Sequence, residues 1–159
     1  MNELIKLLNQ NARFSNEELA TMLGTTADDV AAQIDKLEKD GIIKGYSLIL
    51  DDSVIDKDMV TAIIELKVTP QRDSGFDKIA KTIMMYDEVD SISLLSGSYD
   101  LSVTVKGRNL QEIALFVAQR LSTIEGVLST ATHFLLKTYK EKGIFIETED
   151  KDERGFFAP

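Results

Sequence analysis

The sequence predicts an α+β protein in which an N-terminal winged helix-turn-helix precedes a β-α-β-β-α-β domain. Residues 3–41 hold three short amphipathic helical patterns, with a glycine between the second and the third. Residues 89–106 hold two runs of β-branched and apolar residues around a polar turn, which is typical of a hairpin. On each side of the hairpin lie a helical pattern and then a strand-like run, at 61–69 and at 127–137.

The first helix is predicted over residues 3–12. Leu4, Ile5 and Leu8 would face a core, and Ala12 would extend the apolar stripe.

The second helix is predicted to begin at a capping box. Ser15 would accept a hydrogen bond from the Glu18 amide, and the Glu18 carboxylate would bond back to Ser15. The helix would end at Gly24 in the left-handed conformation, and Thr25 or Thr26 would cap a third helix. The residues expected in the core are Leu19, Met22 and Leu23 from the second helix, and Val30, Ile34 and Leu37 from the third, which Gly41 closes. A small helical bundle is the alternative interpretation of these residues.

Residues 42–50 are predicted to form a strand with a bend or turn at Gly45, as in a wing. The charged stretch at 51–58 indicates a connector, where we expect the domain boundary. The predicted organisation is a helix-turn-helix domain with its connecting strand at 1–51, a second domain at 60–140 and a tail at 141–159.

In the tail, Ile144, Phe145 and Ile146 would add a short edge strand. The charge run that follows is expected to be solvated. Phe156 and Phe157 would dock on a neighbouring subunit, with disorder as the alternative.

The second domain would be a four-stranded antiparallel sheet with both helices on one face. In the hairpin turn, Gly97 could take a positive φ and Asp100 could bond its own backbone. The opposite sheet face would be open and rich in apolar side chains, which predicts a homodimer. The residues expected on that open face are Ile63, Ile92, Leu94, Phe134, Leu136, Thr104, Thr130 and Thr132.

Composition and charge exclude or disfavour several kinds of function for this sequence. The net charge of −9 is spread over the chain, with −4 in residues 1–51, −2 in 52–140 and −3 in 141–159. The absence of a basic segment counts against strong nucleic-acid binding by electrostatics alone. There is no cysteine, which excludes disulfides and thiolate metal sites, and we predict no metal and no cofactor. We also expect no membrane span and no signal peptide, so the predicted location is the cytoplasm.

Three motifs together resemble the Lrp/AsnC (feast/famine) family of transcriptional regulators. They are Asn11-Ala12-Arg13-Phe14-Ser15 with Glu18-Leu19-Ala20 and Gly24, Leu37 to Tyr46, and Gly97-Ser98-Tyr99-Asp100-Leu101 with the later Gly126-Val127, Thr130 and Thr132. The resemblance covers about residues 1–140. It implies a ferredoxin-like second domain, binding of double-stranded DNA through the third helix, and dimers that often build tetramers or octamers. It also implies that an amino acid or related metabolite binds where sheet domains of different dimers meet.

Carried over by position, the resemblance gives a set of effector contacts: Ser96, Gly97, Ser98, Tyr99, Asp100, Leu101, Thr130 and Thr132. Turn amides and threonine hydroxyls could bind the carboxylate of a zwitterion, and Asp100 or backbone carbonyls could bind its ammonium. The alternative is that Asp100 only caps the hairpin and that the threonines are ordinary strand residues.

The third helix departs from the family pattern because it opens with Asp28 and Asp29. These complement the helix N-terminus but would repel phosphates, although an aspartate can accept a hydrogen bond from cytosine N4. The remaining candidates for DNA contact are Arg13, Thr25, Thr26, Gln33, Lys36, Lys39 and Lys44. We therefore expect weak binding by each domain, which multivalency in an oligomer would recover.

The predicted function is a DNA-binding regulator that responds to a small metabolite. The alternative is an oligomeric amino-acid sensor that acts on a protein partner. No enzyme is predicted, because the sequence lacks a cysteine nucleophile, a His-rich metal spacing and a phosphate-cradling loop. The only histidine, His133, is expected to be satisfied and partly buried within a strand, and Asp87, Glu88 and Asp90 are expected to be solvated.

Overall fold

The computed structural model describes residues 2–55, 58–70, 72 and 75–146. The chain divides between Leu48 and Ile49 into two compact units. Each unit has a hydrophobic core of its own. None of the helices that the structure describes is long and apolar enough to cross a membrane.

The N-terminal unit contains α1 (Glu3–Gln10), α2 (Asn16–Leu23) and α3 (Ala27–Lys39). The predicted capping box is confirmed, because Ser15 Oγ accepts from the Glu18 amide at 3.2 Å and Glu18 Oε2 accepts from the Ser15 amide at 2.8 Å. The left-handed Gly24, with φ of 67°, ends α2 as predicted. The buried side chains of this unit are Leu4, Leu19, Ala20, Val30 and Leu37.

Two residues predicted for this core are exposed instead. Ala12 lies beyond the end of α1 and is exposed. Met22 is 52% exposed, because α2 turns the side with Leu19, Ala20 and Leu23 towards the core. The predicted helices are therefore present, but the prediction assigned Ala12 and Met22 to buried faces that do not include them.

The predicted strand at 42–50 is wrong for the isolated chain. Residues 43–50 form no strand, since no described strand pairs with them in a backbone hydrogen-bond ladder. Of their large apolar side chains, Tyr46, Leu48 and Leu50 are exposed, and Ile43 and Ile49 are half-buried. The connector that follows contains a short helix, α4 (Asp52–Ile55).

The second unit has the predicted β-α-β-β-α-β order. Its elements are β1 (Val60–Val68), α5 (Asp77–Ile83), β2 (Val89–Leu94), β3 (Leu101–Gly107), α6 (Leu110–Phe116) and β4 (Val127–Phe134). A π-helical turn at Val117–Leu121 continues α6. The strand order is β2-β3-β1-β4, and all neighbours are antiparallel. The predicted fold class is confirmed.

One face of this sheet packs against the two helices. The buried residues are Ala62, Ile64, Leu66 and Val68 from β1, Leu101, Val103 and Val105 from β3, and Ile79, Ile83, Ile113, Phe116, Val117 and Leu121 from the helical segments. The predicted alternation along β1 and β3 is therefore confirmed.

The prediction for the opposite face is largely wrong. Directly paired residues share a face. Pairing with core residues places Ile92, Leu94, Thr130, Thr132 and Phe134 on the helix side. β2 and β4 each carry one extra residue, Asp90 and Leu128, and such bulges move the following side chains to the other face.

The open face is consequently more polar than predicted. Of the predicted set, Ile63 and Thr104 lie on it, and Leu136 lies beyond the end of β4. Its other members include Glu65, Lys67, Ser91, Ser93, Ser102, Ser129, Ala131 and His133. The homodimer was predicted from an apolar open face, and that argument does not hold for a face of this polarity. The homodimer itself stays a prediction.

The end of the described chain forms a small sheet of its own. β5 (Lys140–Glu141) pairs with β6 (Ile144–Phe145). The predicted short strand is therefore confirmed over Ile144–Phe145, but it belongs to this separate sheet and does not extend the four-stranded one. Phe156, Phe157 and the charge run before them lie outside the described residues.

Replacing Gly107 with alanine should destabilise the second unit. A Cβ at this position would stand 2.9 Å from Ile113 Cγ1 and 3.3 Å from Glu112 Oε2, so the buried Ile113 side chain, or α6 with it, would have to shift. Overpacking of this kind costs about 1–3 kcal/mol, measurable by chemical denaturation. Gly97→Ala is the control, because no described atom lies within 4 Å of its Cβ position. Equal losses in the two variants would contradict the steric explanation.

Candidate functional site

The exposed side of α3 carries three of the predicted DNA contacts. Gln33, Lys36 and Lys39 are exposed and lie three residues apart, so they form one strip along the helix. The helix has four acidic and two basic residues, a net charge of −2. One of its two lysines has an acidic neighbour, with 3.7 Å between Lys39 Nζ and Asp35 Oδ2. This surface therefore attracts phosphates only weakly.

The two threonines before α3 are held by Asp29. Thr26 caps the helix by accepting from the Asp29 amide at 3.2 Å, and its hydroxyl donates to Asp29 Oδ2 at 2.7 Å. The Thr25 hydroxyl donates to the same oxygen at 3.0 Å. These bonds, with that from Thr26 the strongest, hold the pKa of Asp29 below its ordinary value. Both hydroxyl hydrogens are thus engaged, and neither reaches a phosphate unless Asp29 releases it.

Asp28 differs from its neighbour. Its side chain is exposed and makes no hydrogen bond or ion pair with the rest of the described chain. From the sequence, Asp28 and Asp29 were expected to behave alike. The spacing Thr26-x-x-Asp29 resembles a capping box, and it could have indicated that Asp29, unlike Asp28, bonds to the helix cap.

Arg13 and Lys44 lie outside α3. Arg13 is exposed in the turn between α1 and α2, where its amide donates to Asn11 Oδ1 at 2.9 Å. Lys44 follows the end of α3, and its ammonium lies against Gly41. Because a helix of this length spans about 20 Å, Lys44 and the capping threonines stand at opposite ends of α3. The predicted DNA contacts therefore form one strip on α3, a pair of threonines at its N-terminal end and two outlying cations.

Asp100 joins the hairpin turn to β1. Its carboxylate accepts from the Val68 amide at 2.9 Å, and its own amide donates to the Leu66 carbonyl at 2.9 Å. The Asp100 carbonyl accepts from Leu95 at 2.7 Å and closes the turn. The predicted local bond of the side chain is wrong, because the carboxylate bonds to β1 instead of to its own turn.

The other turn residues differ in exposure. Ser96, Gly97 and Ser98 are exposed and Tyr99 is half-buried. Gly97 has no positive φ, contrary to prediction. Leu101 is only 1% exposed and belongs to the core, so its side chain is not available to an effector.

Thr130 and Thr132 lie at the same end of the sheet as the turn, but two strands away. Thr130, Leu66 and Leu101 form one row across β4, β1 and β3. Thr130 is therefore about 10 Å from Leu101, given the usual spacing of strands. Both threonines are half-buried on the helix side. Within one chain, the turn and the two threonines therefore lie at the same end of the sheet but about 10 Å apart.

Sequence reasoning missed a cleft of about 170 Å³ beside α6. Its lining includes Glu88, Glu112, Gln119 and Arg120. Arg120 Nη1 lies 2.5 Å from Glu88 Oε1, and its guanidinium carbon is 4.2 Å from the centre of the Tyr86 ring. The prediction that Glu88 is solvated is therefore wrong, since a residue 32 positions later pairs with it.

His133 has a partner but is not partly buried as predicted. Its Nε2 lies 3.0 Å from Glu65 Oε2, and the His133 side chain is 59% exposed. Across the described residues, no group of three histidine or acidic side chains could hold a metal ion.

Two family models match the chain, one for each unit. Residues 2–44 match a winged helix-turn-helix DNA-binding model, and residues 61–145 match the Lrp/AsnC ligand binding domain. YugG of Bacillus subtilis, named as an uncharacterised HTH-type transcriptional regulator, is 44% identical over 158 residues, which is 99% of this chain and 95% of that protein. The leucine-responsive regulatory protein of Haemophilus influenzae is 23% identical and covers 89% of this chain and 87% of its own length.

Solved structures with the same fold include a transcriptional regulator of Neisseria meningitidis in complex with L-Met. The match has a TM-score of 0.71 with 21% identity, and it covers 89% of this chain and 93% of that one.

Proposed function

The chain belongs to the Lrp/AsnC family of transcriptional regulators, and from this membership we propose how it works. It is a DNA-binding regulator that responds to a small metabolite through its second domain. The observation that carries this function is the presence, in one chain, of a helix-turn-helix followed by the family's ligand binding domain. Within it we assign DNA binding to residues 1–51, regulation to residues 60–140 and a tail to residues 141–159.

We further propose that the effector is an amino acid. The names of two similar proteins support this class, since one is leucine-responsive and the other was crystallised with L-Met. The exposed turn at 96–98 and the half-buried Thr130 and Thr132 offer amide and hydroxyl donors for a carboxylate. Contributions from two copies would close the site, because one chain leaves the turn and β4 about 10 Å apart. The protein would thus act as a homo-oligomer in the cytoplasm, as a regulator and not as an enzyme.

The experiment that tests this function is binding to a duplex taken from upstream of the protein's own gene, titrated against salt. We expect saturable binding that weakens steeply with salt and is poorly displaced by unrelated DNA. Amino acids are then screened for their effect on that complex. If an assembled oligomer does not bind the duplex even at low salt, the DNA-binding proposal fails.

That outcome would favour the second candidate, a sensor that acts on a protein partner. The net charge of −2 on α3 and the engaged hydroxyls of Thr25 and Thr26 support this alternative.

Two substitutions of Asp100 should separate its structural role from effector binding. Asp100→Ala removes the acceptor for the Val68 amide and should cost about 1–3 kcal/mol of unfolding free energy. Asp100→Asn keeps an oxygen acceptor but removes the charge that would bind an ammonium. We expect it to remain near wild-type stability and to lose the effector response, measured by denaturation and by effector titration of the DNA complex. Unchanged effector affinity in Asp100→Asn would leave Asp100 with only its structural role.

A further inference from the structure

We propose that Asp28 reads a cytosine in the major groove and so sets the base preference at one position of each site bound by α3. This inference rests on the proposed DNA-binding function. It begins from the difference between the two acidic residues in the first turn of α3.

Asp29 is less available to a base than Asp28. One of its carboxylate oxygens accepts from two threonine hydroxyls, at 2.7 and 3.0 Å, and its amide is bound by Thr26. Turning the Asp29 carboxylate towards a base would strain or break its bonds to the two threonine hydroxyls. Asp28, by contrast, is exposed and makes no hydrogen bond or ion pair within the described part of the chain. Its oxygens can accept from a base without loss of an internal contact.

The position of Asp28 on α3 suits the groove. The core-facing stripe of the helix runs through Val30 and Leu37, and Asp28 lies about 160° around the helix axis from Val30. In helix-turn-helix proteins, the N-terminal residues of the second helix of the motif contact base edges. Asp28 is the second residue of α3 and therefore lies at the N-terminal end that would contact the bases.

The residues that follow on the same side allow close approach. Ala32 and Lys36 lie four and eight residues after Asp28, so the three side chains stand above one another. Ala32 is exposed and ends at Cβ, which leaves room for the helix to approach the bases. Lys36 lies two turns further on, where its longer side chain can reach a phosphate. This side of α3 thus carries a hydrogen-bond acceptor, Asp28, at its N-terminal end and a cation, Lys36, two turns later.

The chemistry of the base edges selects cytosine. A carboxylate only accepts hydrogen bonds, and the major-groove donors are cytosine N4 and adenine N6. Adenine also presents the acceptor N7 beside N6, which repels the second carboxylate oxygen. Cytosine presents no acceptor in the major groove, so an aspartate there prefers cytosine. An asparagine has the opposite preference, because its amide pairs with both N6 and N7 of adenine.

This difference gives a direct test with the full chain. Wild type, Asp28→Asn and Asp28→Ala are each used to select from a pool of duplex DNA with a randomised central segment. We expect a cytosine in the wild-type consensus, an adenine at the same position for Asp28→Asn, and no preference there for Asp28→Ala. The preference for the favoured base should be roughly tenfold in direct binding measurements.

Asp35→Asn is the matched control. Asp35 lies seven residues after Asp28 on the same side of α3, and the change removes the same charge. It should tighten binding to all sequences and leave the consensus unchanged. Circular dichroism confirms that each variant is folded.

Three results would overturn the inference. One is a consensus that is identical for wild type and Asp28→Asn, which would leave the proposed DNA-binding function intact. Another is an equal change of consensus in Asp35→Asn, which would assign the effect to charge alone. The third is the absence of any selected sequence for wild type, which would remove the DNA-binding function together with the inference.

Discussion

Leu19→Ala should unfold the N-terminal unit and abolish DNA binding, while the second unit stays folded. Leu19 is 0% exposed and lies in a small core, to which the described residues contribute five buried side chains. Removing a buried leucine side chain costs about 2–5 kcal/mol, which is a large part of the stability of so small a unit. The second unit should be unaffected, because its core shares no residue with the first.

The measurement is calorimetric unfolding together with DNA binding. Wild type should unfold in two transitions, and Leu19→Ala should lose or lower one of them. Met22→Ala is the control on the same helix, because Met22 is 52% exposed and its removal should cost less than about 0.5 kcal/mol. If Leu19→Ala lowers both transitions equally, the two units do not unfold independently.

The double variant Lys36→Gln with Lys39→Gln should lose most of the DNA affinity. These are the only basic residues of α3, and both are exposed. Each lost phosphate contact reduces the magnitude of the slope of log K against log salt concentration by about 0.9. Near 0.1 M salt, the same loss lowers the affinity roughly tenfold. The expected loss is therefore on the order of 100-fold for each bound domain. Lys36 should account for more of it, since Lys39 already pairs with Asp35.

The control for this prediction is Lys78→Gln with Lys81→Gln. Both lysines are exposed on α5 of the second unit, and the change in net charge is the same. The control should retain the wild-type salt slope. An unchanged slope in the α3 variant would show that α3 does not face the phosphate backbone.

Local signals predicted the helices and most of the strands. Ser15 with Glu18, Gly24 and the alternation along β1 depend on neighbours in sequence, and each is confirmed. The faces of β2 and β4 could not be predicted, because one extra residue in each strand reverses the alternation and the composition around Asp90 or Leu128 does not signal it.

The candidate sites were less predictable, because their contacts join distant parts of the chain. Asp100 bonds to Val68, which is 32 residues away, and Arg120 pairs with Glu88 over the same separation. Residues 43–50 have strand-like composition, but a strand also needs a neighbour with free backbone groups. No described segment of the same chain supplies one. The exposed candidates on α3 were easier to identify, since helical spacing alone places them.

The two bulges also affect how readily another chain could pair with the edges of the sheet. β2 and β4 are the outer strands of the sheet, and a regular outer strand offers a row of unpaired amides and carbonyls to any passing chain. Asp90 and Leu128 are each the second residue of their strand, so they interrupt that row at one end of each outer strand. A further sheet joining edge to edge would meet a break in the hydrogen-bond ladder there, which disfavours regular edge-to-edge pairing. The proposed homo-oligomer would benefit, because its outer strands are less open to additional copies.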